Sequence, residues 1–237
     1  MSKDDIKVKQ IKEKKPKKKV NKEVIKTISF AIVIIAVISV IGYLCFLVLG
    51  NNKTEKPQET VRKNLNEIEG YGITLDDQDS ELYKELFNDL KKNLEGKEIN
   101  YKEYAKSIAQ MYIVDLYSIN TKLNKYDIST ELIWPTIAEN YRMQVLDTLY
   151  TYVQDNSRGQ RDQNLPEVSK IDVDKIIETK YTYNNGTDKD KSDDKTFDGY
   201  QIDLSWSYRV KLGYDTSATV IVIKDENNKL YVVEQNN

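Results

Sequence analysis

Residues 201–210 read QIDLSWSYRV, with Ile202, Leu204, Trp206, Tyr208 and Val210 alternating with Gln201, Asp203, Ser205, Ser207 and Arg209. A period of two sends the first set to one face of an extended segment and the second to the other, so this is a strand with one dry and one wet side. Upstream the same period recurs. Ile171, Val173, Ile177, Tyr181 and Tyr183 share one parity, and Asp172, Asp174, Glu178 and Lys180 the other. Downstream, residues 217–224 and 229–235 are strand-like and flank Asp225-Glu226-Asn227-Asn228, a turn-rich tetrad suited to closing an antiparallel hairpin. The C-terminal third is therefore expected to be a meander of about four strands.

Before residue 165 the apolar spacing lengthens to about 3.6 residues. Leu82, Leu86, Leu90 and Leu94 repeat every four residues, Phe87 widens the stripe, Asp79 or Ser80 offers an N-cap and Gly96 a stop, which predicts a helix over 81–95. Asn100 followed by Glu103 has the form of a capping box, and Tyr104, Ala105, Ile108, Ala109, Tyr112, Leu116 and Ile119 give the next helix a half-buried face. Pro135 suits the first turn of a third helix running to about residue 154, with Ile137, Ala138, Tyr141, Val145, Leu149, Tyr152 and Val153 inward. Residues 61–69, ending at Gly70 and Gly72, are expected to form a short helix or an ordered approach. The expected fold class is α+β: an N-terminal transmembrane helix, then about three helices packed on a curved antiparallel sheet of about four strands.

The transmembrane segment is residues 27–50, TISFAIVIIAVISVIGYLCFLVLG, which hold no charged side chain. At ~1.5 Å per helical residue they reach about 36 Å, enough to cross a hydrocarbon core of ~30 Å. Residues 1–26 carry eleven lysines against four acids, whereas residues 51–237 carry 25 Lys plus Arg against 34 Asp plus Glu. Cationic flanks resist translocation, so a single-pass protein of the cell membrane is expected, N-terminus inside and C-terminal domain outside. The apolar run is too long for a signal-peptide core and lacks an A-x-A-like site, which favours an uncleaved anchor. The expected organisation is a basic cytoplasmic tail at 1–26, the span at 27–50, a linker containing Pro57 at 51–59, and an extracytoplasmic α+β domain at 60–237 with a cone-like core at about 101–235. Residues 27–50 and the lysine-rich tail would meet membrane lipid. No aromatic interleaves the lysines between Lys14 and Lys19 to stack on bases, so nucleic acid is not an expected partner.

Composition excludes whole classes of chemistry. The chain has no histidine, and its one cysteine, Cys45, lies within the apolar run. That removes Ser-His-Asp and Cys-His nucleophilic machinery, thiol redox work in the exported domain and His/Cys zinc ligand sets. Residues 188–199, DKDKSDDKTFDG, resemble a calcium loop only faintly. Position six of such a loop needs glycine and is Asp193, and position twelve needs glutamate and is Gly199, so a solvated hairpin tip is expected and no metal or other cofactor. Lysine outnumbers arginine 31 to 5, a composition typical of a low-GC bacterial genome.

A helical set followed by long antiparallel strands, closing on Asn228-Lys229-Leu230-Tyr231-Val232-Val233, resembles the nuclear transport factor 2-like (cystatin-like cone) fold over roughly residues 101–234. Behind a single N-terminal span it distantly resembles proteins of conjugation and type IV secretion channels. The resemblance implies a non-catalytic assembly, scaffold or protein-interaction subunit of the cell envelope, with envelope proteins as partners and any oligomer formed through the exported domain. The alternative is a binding module holding an apolar small molecule, lipid or peptide in the cone, where Trp134, Tyr141, Tyr181, Trp206 and Tyr208 would line the ligand space or simply fill the core. A carboxylate-dependent envelope hydrolase, using acids such as Asp115, Glu139 or Asp203, ranks last, because acids on wet faces usually only solubilise; no catalytic residue is assigned.

Overall fold

The alternation at residues 201–210 lies within the second of four long strands. In the computed structural model, which describes residues 61–184 and 194–237, these are β3 (Val168–Tyr183), β4 (Lys195–Tyr208), β5 (Ser217–Lys224) and β6 (Leu230–Asn236). They pair antiparallel in the order β3-β4-β5-β6, the expected meander. The tail, span and linker placed at 1–59 lie outside the described residues; among the described residues no helix is long and apolar enough to cross a membrane. The chain divides into two units between Lys56 and Pro57, and every described residue belongs to the second.

Local chemistry explains the turn between β5 and β6. Asp225 Oδ1 accepts from the backbone N–H groups of Asn227 (2.9 Å) and Lys229 (2.7 Å), and Asn228 adopts φ +62°, a left-handed conformation that asparagine tolerates. One register shift and one strand boundary were not foreseen. In β3, Val173 faces Leu204 but Lys175 faces Asp203, so Asp174 is an extra residue that reverses the parity of everything after it. Ile176 therefore packs against the core and Ile177 is left 40 % exposed, opposite to the single alternation expected across residues 171–183. Farther on, β4 already begins at Lys195, so residues 195–199 belong to a strand rather than to a hairpin tip; residues 185–193 lie outside the described residues.

Two helices match their signals closely. Helix α1 (Glu81–Leu94) is capped by Ser80, whose hydroxyl accepts from the Tyr83 N–H at 3.2 Å. Helix α2 (Tyr101–Tyr117) is capped by the Asn100 side chain accepting from the Glu103 N–H. The reciprocal half of a capping box is absent here, because the Asn100 N–H is taken by Asn93 Oδ1. Helix α2 is not half-buried: 11 of its 17 residues are buried, with Ile108, Ala109, Met111, Ile113 and Val114 fully enclosed. It runs through the middle of the core, with α1 on one side and the apolar face of the sheet (Ile202, Leu204, Val220, Val222) on the other.

Within residues 61–69 the chain forms a strand at Asn64–Ile68 and no helix. β1 (Asn64–Ile68) pairs antiparallel with β2 (Ile73–Asp76) in a separate two-stranded sheet. Gly70 and Gly72, both with positive φ, form the turn that returns the chain, and tertiary burial of Ile68, Ile73 and Leu75 decides against a helix. Helix α3 (Ala138–Asp147) also differs, stopping seven residues short of 154. Thr148 Oγ1 donates to the Gln144 carbonyl and Thr151 Oγ1 to those of Leu146 and Thr148, so side chains compete with the helix at its end. Tyr150 is buried in its place, its hydroxyl donating to the Leu116 carbonyl at 3.0 Å, while Tyr152, expected inward, is 85 % exposed.

Candidate functional site

Helix α3 is tied at both ends and thinly packed between them. At its start the chain makes one parallel bridge to the edge of the sheet: the Val232 N–H donates to the Leu132 carbonyl (2.8 Å) and the Trp134 N–H to the Val232 carbonyl (3.0 Å). Pro135 then turns the chain away. Beyond its end, buried Tyr150 fastens it to α2. Within α3 only Val145 is buried. A helix spanning a gap in this way leaves space beneath it, and a cleft of about 770 Å³ lies between α3, the last turns of α2 and the C-terminal half of β6. That volume is within the ~300–1,000 Å³ usual for ligand sites.

The cleft has an apolar floor crossed by a polar ladder. Leu116, Ile133, Ile137, Val145 and Val232 provide the floor. The Tyr141 ring packs 6.0 Å from that of Tyr112, whose hydroxyl donates to Gln235 Oε1 at 2.8 Å. Gln235 Nε2 donates to the Tyr117 hydroxyl oxygen (2.9 Å), which also accepts from Asn237 Nδ2 (3.4 Å). Asn237 Nδ2 further donates to Asp215 Oδ2 at 2.8 Å. The Tyr117 oxygen thus accepts from both Gln235 and Asn237, and its own proton has no acceptor among the described residues. Burial pushes the Tyr141 and Tyr112 hydroxyls well above the ordinary tyrosine value, which keeps both protonated.

The walls add unpaired groups. Asn140 and Gln144 sit four apart on α3, and their exposed side-chain amides hydrogen-bond to no other described residue. Facing them, β6 is the edge strand; among the described residues its outer side meets another backbone segment only at Val232, and the Leu230 N–H donates to the Tyr104 hydroxyl at 3.3 Å. The cleft follows that edge from Val232 to Asn237. Among the described residues its lining contains two charged side chains, Asp215 and Glu234, both acidic, and neither lysine nor arginine.

Of the five aromatics proposed from sequence, only Tyr141 lines this cleft. Trp134 packs beside it in a small second cluster with Tyr181, meeting the rings of Tyr183 (4.9 Å) and Phe197 (5.1 Å). Trp206 is a core residue, 5.0 Å from the Tyr117 ring, and its indole N–H donates to the Tyr208 hydroxyl at 2.8 Å. Tyr208 in turn donates to the Asp215 carbonyl at 2.6 Å, and burial pushes its hydroxyl up to about 12. The five are thus split between cleft, core and a lateral cluster. Sequence reasoning missed Tyr117, Gln235, Asn140 and Gln144 and treated Tyr112 as packing alone. Asn140, Gln144 and Thr148 at a spacing of four, beside Tyr141 and Val145, were the available signal.

The three candidate acids do not converge. Asp115 is paired with Lys122, Glu139 with Arg142 on the exposed start of α3 (2.9 Å), and Asp203 accepts from Thr219 across β4 and β5 (2.8 Å). The hydrogen bond from Arg142 and its charge lower the Glu139 pKa, the reverse of what a proton donor near neutrality needs.

A second polar concentration holds the N-terminal part together. Arg62 Nε donates to Asp127 (2.9 Å), and its Nη1 contacts Asp79 (3.2 Å) and Asp76 (3.4 Å). Burial opposes the Arg62 charge, but Asp127, Asp115 and Asp79 outweigh it and raise its pKa. Lys122, 1 % exposed, donates to Asp115, and Arg161 binds the carbonyls of Lys122 (2.8 Å) and Asn120 (2.7 Å). These pairs fasten β1, the approach to α1 and the connection after α2, which makes the group a structural clamp. No family model, curated protein or solved structure matches the chain.

Proposed function

We propose that this is a non-catalytic protein-interaction subunit, anchored in the cell membrane by residues 27–50, which engages an envelope partner through the cleft between α3 and β6. The observation that carries the reading is the cleft itself: about 770 Å³ bounded by a sheet edge that, among the described residues, meets another strand-like segment only at Val232. The absence of histidine, and of cysteine outside residues 27–50, supports a binding role over chemistry, as does the dispersal of Asp115, Glu139 and Asp203. The N-in topology and the nuclear transport factor 2-like resemblance belong to the same proposal, and the charge asymmetry across the apolar run supports the first of these.

Site-specific photo-crosslinking in intact cells tests it. A photoreactive phenylalanine analogue at Gln144, in the cleft, is compared with the same group at Lys92, exposed on α1 and outside the cleft lining. The proposal expects a discrete protein adduct from Gln144 and none from Lys92. Equal adducts from both positions, or none from Gln144, would overturn it.

A further inference from the structure

We infer that the occupant of the cleft is an extended, basic segment of polypeptide that adds as a strand to the free edge of β6. The inference rests on the interaction reading above and specifies its partner. Three independent features of the cleft converge on it. The first is the edge. Leu132 to Trp134 cover β6 only at Val232 before Pro135 diverts the chain, so among the described residues the edge from Val233 onward borders the cleft with no strand beside it. An uncovered edge is a template for main-chain pairing, and natural proteins usually protect such edges unless they use them.

The second feature is the opposite wall. A peptide laid along β6 bonds to it with one side of its backbone and leaves N–H and C=O groups on the other side unpaired. Asn140 and Gln144 present two unpaired amides there, each able to donate and to accept. The Tyr117 hydroxyl proton, which has no acceptor among the described residues, adds a donor for one carbonyl. Amides suit a peptide backbone better than a lipid chain, which would leave them desolvated without partners.

The third feature is charge. Among the described residues the lining holds Asp215 and Glu234 and no cation, so an anionic occupant, including an anionic lipid headgroup or an acidic peptide, would find repulsion and no counter-ion there. Lysine or arginine side chains alternating outward from the added strand would find those two carboxylates. The apolar floor accepts the side chains of the other parity.

The test uses the full-length chain in detergent micelles and three fluorescein-labelled hexapeptides, read by fluorescence polarisation: alternating valine and lysine, alternating valine and glutamate, and the lysine peptide with alternate main-chain nitrogens methylated. The lysine peptide is expected to bind at least tenfold more tightly than either of the others. The joint variant Asp215→Lys with Glu234→Lys is expected to reverse the preference between lysine and glutamate peptides. Asn140→Ala with Gln144→Ala, at exposed positions whose loss leaves the fold intact, is expected to weaken the lysine peptide several-fold. Equal binding of the methylated peptide would remove the edge from the account, and tighter binding of the glutamate peptide would remove the charge argument. Either result overturns the inference. A dimer in sedimentation that is lost in the Asn140/Gln144 variant would make a second copy the occupant and also overturn it. If no peptide binds while the Gln144 crosslink persists, the inference falls and the interaction reading stands; if both fail, both fall.

Discussion

Replacing Lys122 with methionine isolates the strongest energetic claim made for this domain. Lys122 is 1 % exposed, and its ammonium donates to Asp115, itself 15 % exposed, on the last turn of α2. Methionine fills much the same volume but removes the cation, leaving an enclosed carboxylate without its partner. Breaking a buried pair from one side costs about 3–5 kcal/mol, because the surviving charge keeps its desolvation penalty and loses its compensation. In a domain of 150–250 residues each kcal/mol moves Tm by about 2–4 °C, so Lys122→Met is expected to lower Tm by about 6–20 °C. Thermal unfolding of the full-length chain in micelles, followed by tryptophan emission, reads this directly, since both tryptophans, Trp134 and Trp206, belong to this domain. The double variant Lys122→Met with Asp115→Leu removes both charges and is expected to recover to within ~1–2 kcal/mol of the parent. The reasoning is refuted if Lys122→Met alone is neutral, or if the double variant is as unstable as the sum of the two single ones.

Other perturbations have equally definite outcomes. A Cβ at Gly199 would lie 2.3 Å from the Val222 carbonyl oxygen and 3.1 Å from Ile223 Cα, both backbone atoms, so Gly199→Ala should cost ~1–3 kcal/mol by forcing β4 from β5 in chemical denaturation. Tyr112→Phe leaves Gln235 Oε1 without its donor beside the core, with an expected loss of ~1–3 kcal/mol in chemical denaturation. Burial raises the carboxyl pKa of Asp79 and Glu131 above the ordinary 3.8 and 4.5. The folded state therefore holds protons there that the unfolded chain has already released. Stability is expected to rise as pH falls through the window just above those two values, and Asp79→Asn with Glu131→Gln should flatten the rise in a Tm-against-pH series. Asp77, Asp155 and Glu139 have lowered values, from backbone N–H groups in the first two and from Arg142 in the third, and their contribution is lost only at more acid pH.

The elements legible in the sequence were those whose signals are local. Ser80 and Asn100 announced α1 and α2 because a cap needs only its own next three residues, and 225–228 announced a turn for the same reason. The failures were cases in which distant packing overrode a local preference. Residues 64–68 have little strand character of their own, and pairing with 73–76 across a two-glycine turn decides their state. The bulge at Asp174 follows from β4 pairing on both sides of it, and no period within β3 could reveal it. Tyr150 and Tyr152 exchanged roles because α3 ends where threonine hydroxyls take its carbonyls. The cleft was the least legible feature. It is built from a gap between three elements, and its polar members, Tyr112, Tyr117 and Gln235, are joined across more than a hundred positions of sequence.

That gap is also where the functional account is most exposed to test. Hydrogen–deuterium exchange on the full-length chain, with and without the alternating valine–lysine hexapeptide, reports on the backbone amides of β6 individually. The account predicts slower exchange confined to residues 233–236 and the cleft face of α3, with β3 and β4 unchanged. Protection elsewhere on the sheet, or none at β6 at a peptide concentration that saturates the polarisation signal, would contradict it.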